Sequence, residues 1–225
     1  LTTETLRPQV RRRLLARHSR LPMFNLPKGI NSRDLKGGKE HMAKFVPDQL
    51  RILPDIIDDF TKNPNYGKLV IVQVPRNATI TSCENRVLRY QRQFDVDLVV
   101  IDSINLLRAD RRFSSRREEL ASMLIEAKQF ATTFNDGHGV PVVSPWQANR
   151  ESWKEAQEKG YYNSSALAET HEASASADNI ITILEPMGEV SREVSMKVQV
   201  PKSRDGEKAN SMDISVDYAT AYWSS

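Results

Sequence analysis

A carboxylate stands directly after an apolar run near the middle of the chain. Asp102 follows Leu98–Ile101, and four apolar residues before an aspartate form the Walker B pattern. An aspartate at the end of such a strand can hold the water shell of Mg²⁺ on a bound nucleotide. An aspartate that only caps a turn gives the same pattern, so this motif alone leaves both interpretations open.

Polar and basic residues follow two further strand-like runs. Gln147 comes after Val140–Val143, and an amide there could sense a γ-phosphate or orient a water molecule. Lys202 and Arg204 follow the run Lys197–Val200, and two cations at this spacing could contact one polyanion. Taken alone, Gln147 is better explained as a loop residue, and the two cations as the solvated end of a hairpin.

The segment 108–117 combines basic residues with an aromatic ring. Arginines on phosphates and a ring that stacks on a base suit single-stranded nucleic acid. The ordinary alternative is a mobile, solvated loop. A predicted N-terminal helix also has six arginines, but they lie on more than one side and form no single binding stripe. The segment contains Phe113, Asp110 and five arginines, which are Arg108, Arg111, Arg112, Arg116 and Arg117.

The composition bounds the classes of protein to which the chain could belong. Its 225 residues are 39% hydrophobic and 27% charged, which is typical of one globular domain or two small ones. Lys and Arg number 32 against 29 Asp and Glu, so the net charge of +3 permits nucleic-acid binding without establishing it. The single cysteine, Cys83, predicts a reducing, cytoplasmic setting. No apolar run approaches the about 20 residues of a membrane helix, so no membrane association is expected.

Alternating strand and helix patterns must position these residues. Short β-branched runs alternate with amphipathic segments, which predicts an α/β fold with a mostly parallel sheet buried on both faces. Ligands bind such sheets at the carboxyl ends of the strands, where Asp102 and Gln147 fall. Thr81 with Glu84 predicts a capping box. The predicted helices are 6–20, 45–63 (interrupted by Pro54), 81–94 and 115–135, and the predicted strands are 68–75, 97–102, 140–143, 180–184, 194–200 and 212–216.

Five segments, taken in order, resemble the ATPase domain of replicative DnaB-type helicases. The resemblance covers nearly the whole chain and is weakest over 22–66. It implies an α/β, RecA-like fold over 1–225, which is a mostly parallel twisted sheet with helices on both faces and a C-terminal antiparallel hairpin. The segments are Thr3-Glu4-Thr5, Leu98–Ser103, Val140–Arg150, Ser176–Ile181 and Lys202-Ser203-Arg204-Asp205-Gly206.

The resemblance also implies a role for each matched residue in the hydrolysis of ATP. Glu4 would polarise the attacking water, and Asp102 would order Mg²⁺ through water. Gln147 would report the γ-phosphate. Lys202 and Arg204 would act in trans on the ATP of an adjacent subunit. Fingers of this kind contribute on the order of 10³–10⁵ in rate, so a monomer should be a poor ATPase.

Nucleic acid and protein partners follow from the same resemblance. The loops 108–117 and 150–176 would line the central channel of a hexameric ring and track one strand of DNA. The five loop arginines and Arg150 would supply the phosphate contacts. A primase or a helicase loader would be a candidate partner.

Three departures keep other functions open. No G-x-x-x-x-G-K-[ST] loop is found, and Lys36–Glu40 lacks both the first glycine and the hydroxyl residue, so the family's phosphate loop would lie before Leu1. Without it we expect weak ATP binding or none, and an exposed sheet edge. Trp146 replaces the family's usual serine, and Ser103 resembles recombinases as much as helicases. The alternatives are therefore a RecA- or RadA-like recombination ATPase and an inactive RecA-like module that binds DNA.

Overall fold

The computed structural model describes residues 1–3, 5–37, 39–162, 171–187, 191–204, 206 and 211–224. The chain forms two compact units. The first unit is Leu1–Thr5, Val72–Leu184 and Lys197–Met212. The second unit is Leu6–Ile71, Glu185–Met196 and Asp213–Ser225.

Helices and strands alternate over residues 80–184, as expected of an α/β fold, while further helices precede this part of the chain and further strands follow it. The described strands form a two-stranded parallel sheet, β1-β2, and a four-stranded sheet in the order β3-β4-β5-β6. None of the helices in the described part of the chain is long and apolar enough to span a membrane. The helices are α1 Arg7–His18, α2 Lys39–Met42, α3 Pro47–Lys62, α4 Ile80–Gln91, α5 Arg116–Thr133, α6 Arg150–Lys159 and α7 His171–Ser176, and the strands are β1 Val99–Val100, β2 Val142–Val143, β3 Asn179–Leu184, β4 Glu193–Ser203, β5 Met212–Asp217 and β6 Tyr222–Ser224.

Two extended segments widen the parallel sheet of the first unit. Thr2 forms parallel bridges to both Gln73 and Asp102. The segment 1–3 therefore lies between residues 72–74 and the end of β1, and β2 follows on the other side of β1. The predicted parallel sheet is confirmed, although only part of the expected strand 68–75 pairs with a neighbour.

One face of this parallel sheet is covered and the other is exposed. Val99 and Ile101 pack into a core with α4 and α5. Leu98 and Val100, which alternate with them, are 55% and 43% exposed, and Val143 of β2 is 52% exposed. The prediction of strands buried on both faces is therefore wrong for the described residues. An apolar run indicates that a strand can be buried on two sides, but it does not show that helices cover both.

Hydrogen-bonding side chains fix the starts of the two long helices of the first unit. Thr79, rather than Thr81, caps α4, since its hydroxyl accepts from the Ser82 amide at 3.2 Å and Ser82 accepts from the Thr79 amide at 3.0 Å. Ser115 caps α5 by accepting from the Glu118 amide at 3.2 Å. The capping box predicted at Thr81 is therefore displaced by two residues.

The C-terminal sheet is larger than the predicted hairpin. In the first unit β3 pairs antiparallel with β4, and Ile180 lies opposite Lys202. In the second unit β5 pairs antiparallel with β6, a strand that the sequence did not predict. Because β4 continues to Ser203, Lys202 lies within a strand and not after one.

The second unit has a separate small core. Phe24, Ile30, Phe45 and Ile56 are buried together. The helix α3 runs through Pro54 without the predicted interruption.

Candidate functional site

The backbone of Asp102 is held between neighbouring strands at the carboxyl end of β1. Its amide donates to the Leu1 carbonyl at 2.9 Å. Its carbonyl accepts from the amide and the hydroxyl of Thr3, at 3.0 and 3.1 Å. The half-buried Asp102 carboxylate forms no hydrogen bond or ion pair with any residue that the structure describes. A residue with a fixed backbone and a carboxylate that has no described partner is suited to binding a hydrated cation.

The segment after β2 is attached to the same edge of the sheet. The Ser144 hydroxyl accepts from the Ile104 amide at 3.1 Å and donates to the Ile101 carbonyl at 2.9 Å. Gln147 is three residues further along and is exposed. The structure thus brings the Gln147 segment beside the strand that carries Asp102, as the strand-end argument predicted.

The expected water-polarising residue, Glu4, lies outside the described residues. Its neighbour Thr3 donates a hydrogen bond to the Asp102 carbonyl. Among the described residues, no three His, Cys, Asp or Glu side chains come together as a metal site. The Asp102 carboxylate is an oxygen ligand of the kind that Mg²⁺ prefers.

Lys202 and Arg204 contact groups of their own chain. The Arg204 guanidinium nitrogen Nη1 lies 2.8 Å from Asp178 Oδ1. Lys202 Nζ donates to the carbonyls of Ser174 and, at 3.3 Å, Ala175, near the end of α7. No hydrogen bond or ion pair joins either cation to Asp102 or Gln147 within the described structure. The described site residues therefore form two groups. The first is Asp102 and Gln147 at the edge of the parallel sheet, and the second is Lys202 and Arg204 at the end of β4.

Asp178 organises the second group, and sequence reasoning gave it no chemical role. Lys128 of α5 donates to Asp178 Oδ2, and this hydrogen bond, with the charges of Lys128, Arg204 and Lys202, holds the pKa of Asp178 below its ordinary value. Sequence reasoning also missed Lys128. The available signal was its position between Leu124 and Ala131 on the apolar side of the predicted helix.

Two of the five loop arginines hold the loop together. Arg116 contacts Glu119 and donates to the Asn105 carbonyl at 2.6 Å. Arg108 lies 3.4 Å from the same Glu119 carboxylate. Burial opposes the ionisation of Glu119, but the hydrogen bonds from Arg116 and the Ala109 amide outweigh it and hold the pKa of Glu119 below its ordinary value.

The other arginines are available to an external ligand. Arg111 stacks over Phe113, with its guanidinium carbon 4.9 Å from the ring centroid. Arg112, Arg117 and Arg150 are exposed and form no ion pair or hydrogen bond with any residue that the structure describes. Arg150 is the first residue of α6, which is capped by Asn149. Exposed cations beside an aromatic ring match the requirements of a single-stranded nucleic acid.

Comparisons with known proteins point to one family. The family model described as the DnaB-like helicase C-terminal domain matches residues 2–222. None of the curated protein sequences matches the chain. Among solved structures, a DnaB-like replicative helicase, described with its interactions with primase, has a TM-score of 0.75 at 15% identity over 98% of this chain and 48% of that one. A second solved structure, described as an ATPase domain, has a TM-score of 0.70 at 16% identity over 99% of this chain and 72% of that one.

The coverage and the sequence identity of the two solved structures limit what the structural similarity shows to the fold. The chain spans 48% of the length of the replicative helicase that it matches. At 15% and 16% identity the solved structures show a shared fold and do not by themselves assign an activity.

Proposed function

This chain belongs to the DnaB-like helicase C-terminal domain family, and from that membership we propose that it is the RecA-like motor part of a replicative DNA helicase. The motor would couple ATP hydrolysis at subunit interfaces to movement along single-stranded DNA and to unwinding of the duplex. The observation that carries the proposal is the carboxyl edge of the parallel sheet, where backbone carbonyls at the end of β1 bind Thr3 and Ser144 and so bring Asp102 and the segment before Gln147 to one edge.

Each residue of this edge has a role in the proposed hydrolysis. Asp102 would hold Mg²⁺ through water, and bound Mg²⁺ would supply positive charge to the nucleotide phosphates. Glu4, the residue after Thr3, polarises the attacking water. Gln147 reports whether the γ-phosphate is present, which its exposed amide is free to do.

Hydrolysis in this proposal belongs to the full-length protein. The 225 residues contain no G-x-x-x-x-G-K-[ST] sequence to cradle the phosphates. Lys202 and Arg204 act in trans, and the absence of any described contact between them and Asp102 agrees with a role at a neighbouring site. Such an arrangement requires a head-to-tail interface between subunits, and we propose that these interfaces close into a hexameric ring.

The exposed arginines supply the proposed contact with DNA. Arg111, Arg112, Arg117 and Arg150 bind phosphates along one strand, and Phe113 offers a ring for stacking. Arg108 and Arg116 keep the loop in shape through Glu119. A primase or a helicase loader is the proposed protein partner, since the similar replicative helicase was described with primase.

The Asp102→Asn variant of the full-length protein tests the nucleotide site. We expect DNA-stimulated ATP hydrolysis to fall at least about 10²-fold, because an amide holds Mg²⁺ poorly. The matched control is Asp58→Asn, which removes a carboxylate from an exposed pair with Lys62 on α3. Equal turnover in wild type and Asp102→Asn would show that the nucleotide binds elsewhere.

A recombination ATPase is the second candidate, because Ser103 after the Walker B aspartate resembles the residue of recombinases as much as that of helicases. Unwinding of a forked duplex without formation of joint molecules between homologous strands would support the helicase, and the reverse result would support the recombinase.

A further inference from the structure

The carboxylate of Asp178 connects a helix to the basic end of β4. Its Oδ2 accepts from Lys128 of α5, and its Oδ1 lies 2.8 Å from Nη1 of Arg204. The backbone fixes the same pair, because the Arg204 amide donates to the Asp178 carbonyl at 3.0 Å. Asn179 lies opposite Ser203 in the ladder, so Asp178 and Arg204 continue the same strand pairing. Three elements thus converge on one carboxylate.

The two cations are held differently. Lys128 donates an aligned hydrogen bond to Asp178. The contact of Arg204 is an ion pair only, because the buried Oδ1 of Asp178 has no aligned hydrogen bond. Lys128 therefore anchors the carboxylate, while Arg204 is oriented by charge and can still adjust its position.

Only part of the Arg204 guanidinium contacts other described residues. Its side chain is 55% exposed, and within the described residues only Nη1 has a partner. The edge formed by Nε and Nη2 is one of the edges with which an arginine can bind two oxygens of a phosphate. Asp178 thus holds one corner of the guanidinium and leaves the phosphate-binding edge open.

We propose that Asp178 is a positioning residue: held by Lys128, it aims the open edge of Arg204 at the nucleotide of the neighbouring subunit. This inference rests on the proposed trans role of Arg204. It also gives α5 a link to the nucleotide, because Lys128 lies about 18 Å along that helix from Arg116, where the basic loop ends. An exposed pair that served only the fold would contribute little to stability and nothing to turnover.

The test measures DNA-stimulated ATP hydrolysis by the full-length protein with Asp178→Asn. Misplacing a catalytic group by about 1 Å can cost about 10²-fold, so we expect kcat to fall about 10- to 100-fold. The KM for ATP should stay within about twofold, because Asp178 does not touch the nucleotide. Asp178→Glu should restore part of the rate, and the control Asp58→Asn should match wild type.

A double-mutant comparison separates positioning from a structural role. The variant with both Asp178→Asn and Arg204→Ala should be no slower than Arg204→Ala alone, because Asp178 acts only through Arg204. Three results would overturn the inference. The first is a double variant slower than Arg204→Ala by the factor that Asp178→Asn costs alone. The others are a wild-type kcat in Asp178→Asn while Arg204→Ala is impaired, and an Asp178→Asn variant that is faster than wild type. If Arg204→Ala itself keeps wild-type turnover, the proposed trans role fails, and the inference fails with it.

A second variant keeps the inference testable if Asp178→Asn does not assemble. Lys128→Gln removes the anchor and leaves the Asp178–Arg204 pair in place. We expect a smaller fall of kcat, about threefold to tenfold, again without a change in KM. Wild-type kcat in an assembled Lys128→Gln protein would overturn the anchoring role.

Discussion

The arginines of the basic loop 108–117 fall into two kinds, those free to contact DNA and those that stabilise the loop. Arg112 is exposed and makes no described contact, whereas Arg116 is bound to Glu119 and to the Asn105 carbonyl at 2.6 Å. We therefore expect Arg112→Ala to weaken DNA binding directly. We expect Arg116→Ala to act through the shape of the loop.

The salt dependence of binding distinguishes the two effects. Each phosphate contact to a single strand contributes about 0.7 to the slope of log affinity against log salt. Arg112→Ala should reduce that slope by about 0.7. Arg116→Ala should leave the slope unchanged and instead cost about 1 kcal/mol of stability, which is below the usual range for charged hydrogen bonds because the Arg116 side chain is 39% exposed.

Fluorescence anisotropy of a labelled single strand, measured with the full-length protein from low to physiological salt, gives both slopes. A thermal melt of each variant gives the stability. If Arg116→Ala lowers the salt slope as much as Arg112→Ala does, then Arg116 contacts phosphate and the division between scaffold and contact residues is wrong.

Two further predictions concern stability. Asp217 is 3% exposed and is bound by Arg192 at 2.9 Å. Burial opposes its ionisation, but the hydrogen bonds from Arg192 and the Ala219 amide, with the charge of Arg192, together outweigh burial and keep the pKa of Asp217 below its ordinary value. Asp217→Asn should therefore lower the free energy of unfolding by about 2–3 kcal/mol at neutral pH. The difference in stability between the variant and wild type should disappear as the pH falls through the lowered pKa, because wild type then loses the stabilising charge. A difference that stays constant in acid would exclude this cause. Thr79→Ala should cost about 1 kcal/mol by removing the α4 cap, and Thr81→Ala less, as chemical denaturation of both variants will show; equal losses would contradict the assignment of the cap.

The sequence predicted that the Asp102 and Gln147 segments lie at one edge of the parallel sheet, and the structure places them there. Asp102 and Gln147 could be found because parallel strands end at one edge, so a polar residue that follows an apolar run must lie there. The predicted helices and strands followed from the spacing of apolar residues along the chain. The helix cap was displaced because Thr79-Ile80-Thr81-Ser82 offers two threonines, and the local sequence does not decide which one leaves the helix.

Other features depend on contacts between residues far apart in the chain. Lys128 and Asp178 are fifty positions apart, so their pairing with Arg204 has no local pattern. The exposed face that carries Leu98 and Val100 is likewise invisible to a sequence pattern, because burial depends on which helices cover the sheet. The strand β6 was missed because Tyr222–Ser224 is only three residues long.

In the proposed ring, Asp102 and Arg204 act on one nucleotide from two different subunits. Mixing full-length Asp102→Asn protein with Arg204→Ala protein before ring assembly tests this most directly by measuring DNA-stimulated ATP hydrolysis. Each variant alone should be nearly inactive. Mixed rings should regain turnover, because some interfaces then pair an intact Asp102 with an intact Arg204. Mixed rings that stay as inactive as the separate variants would contradict the account.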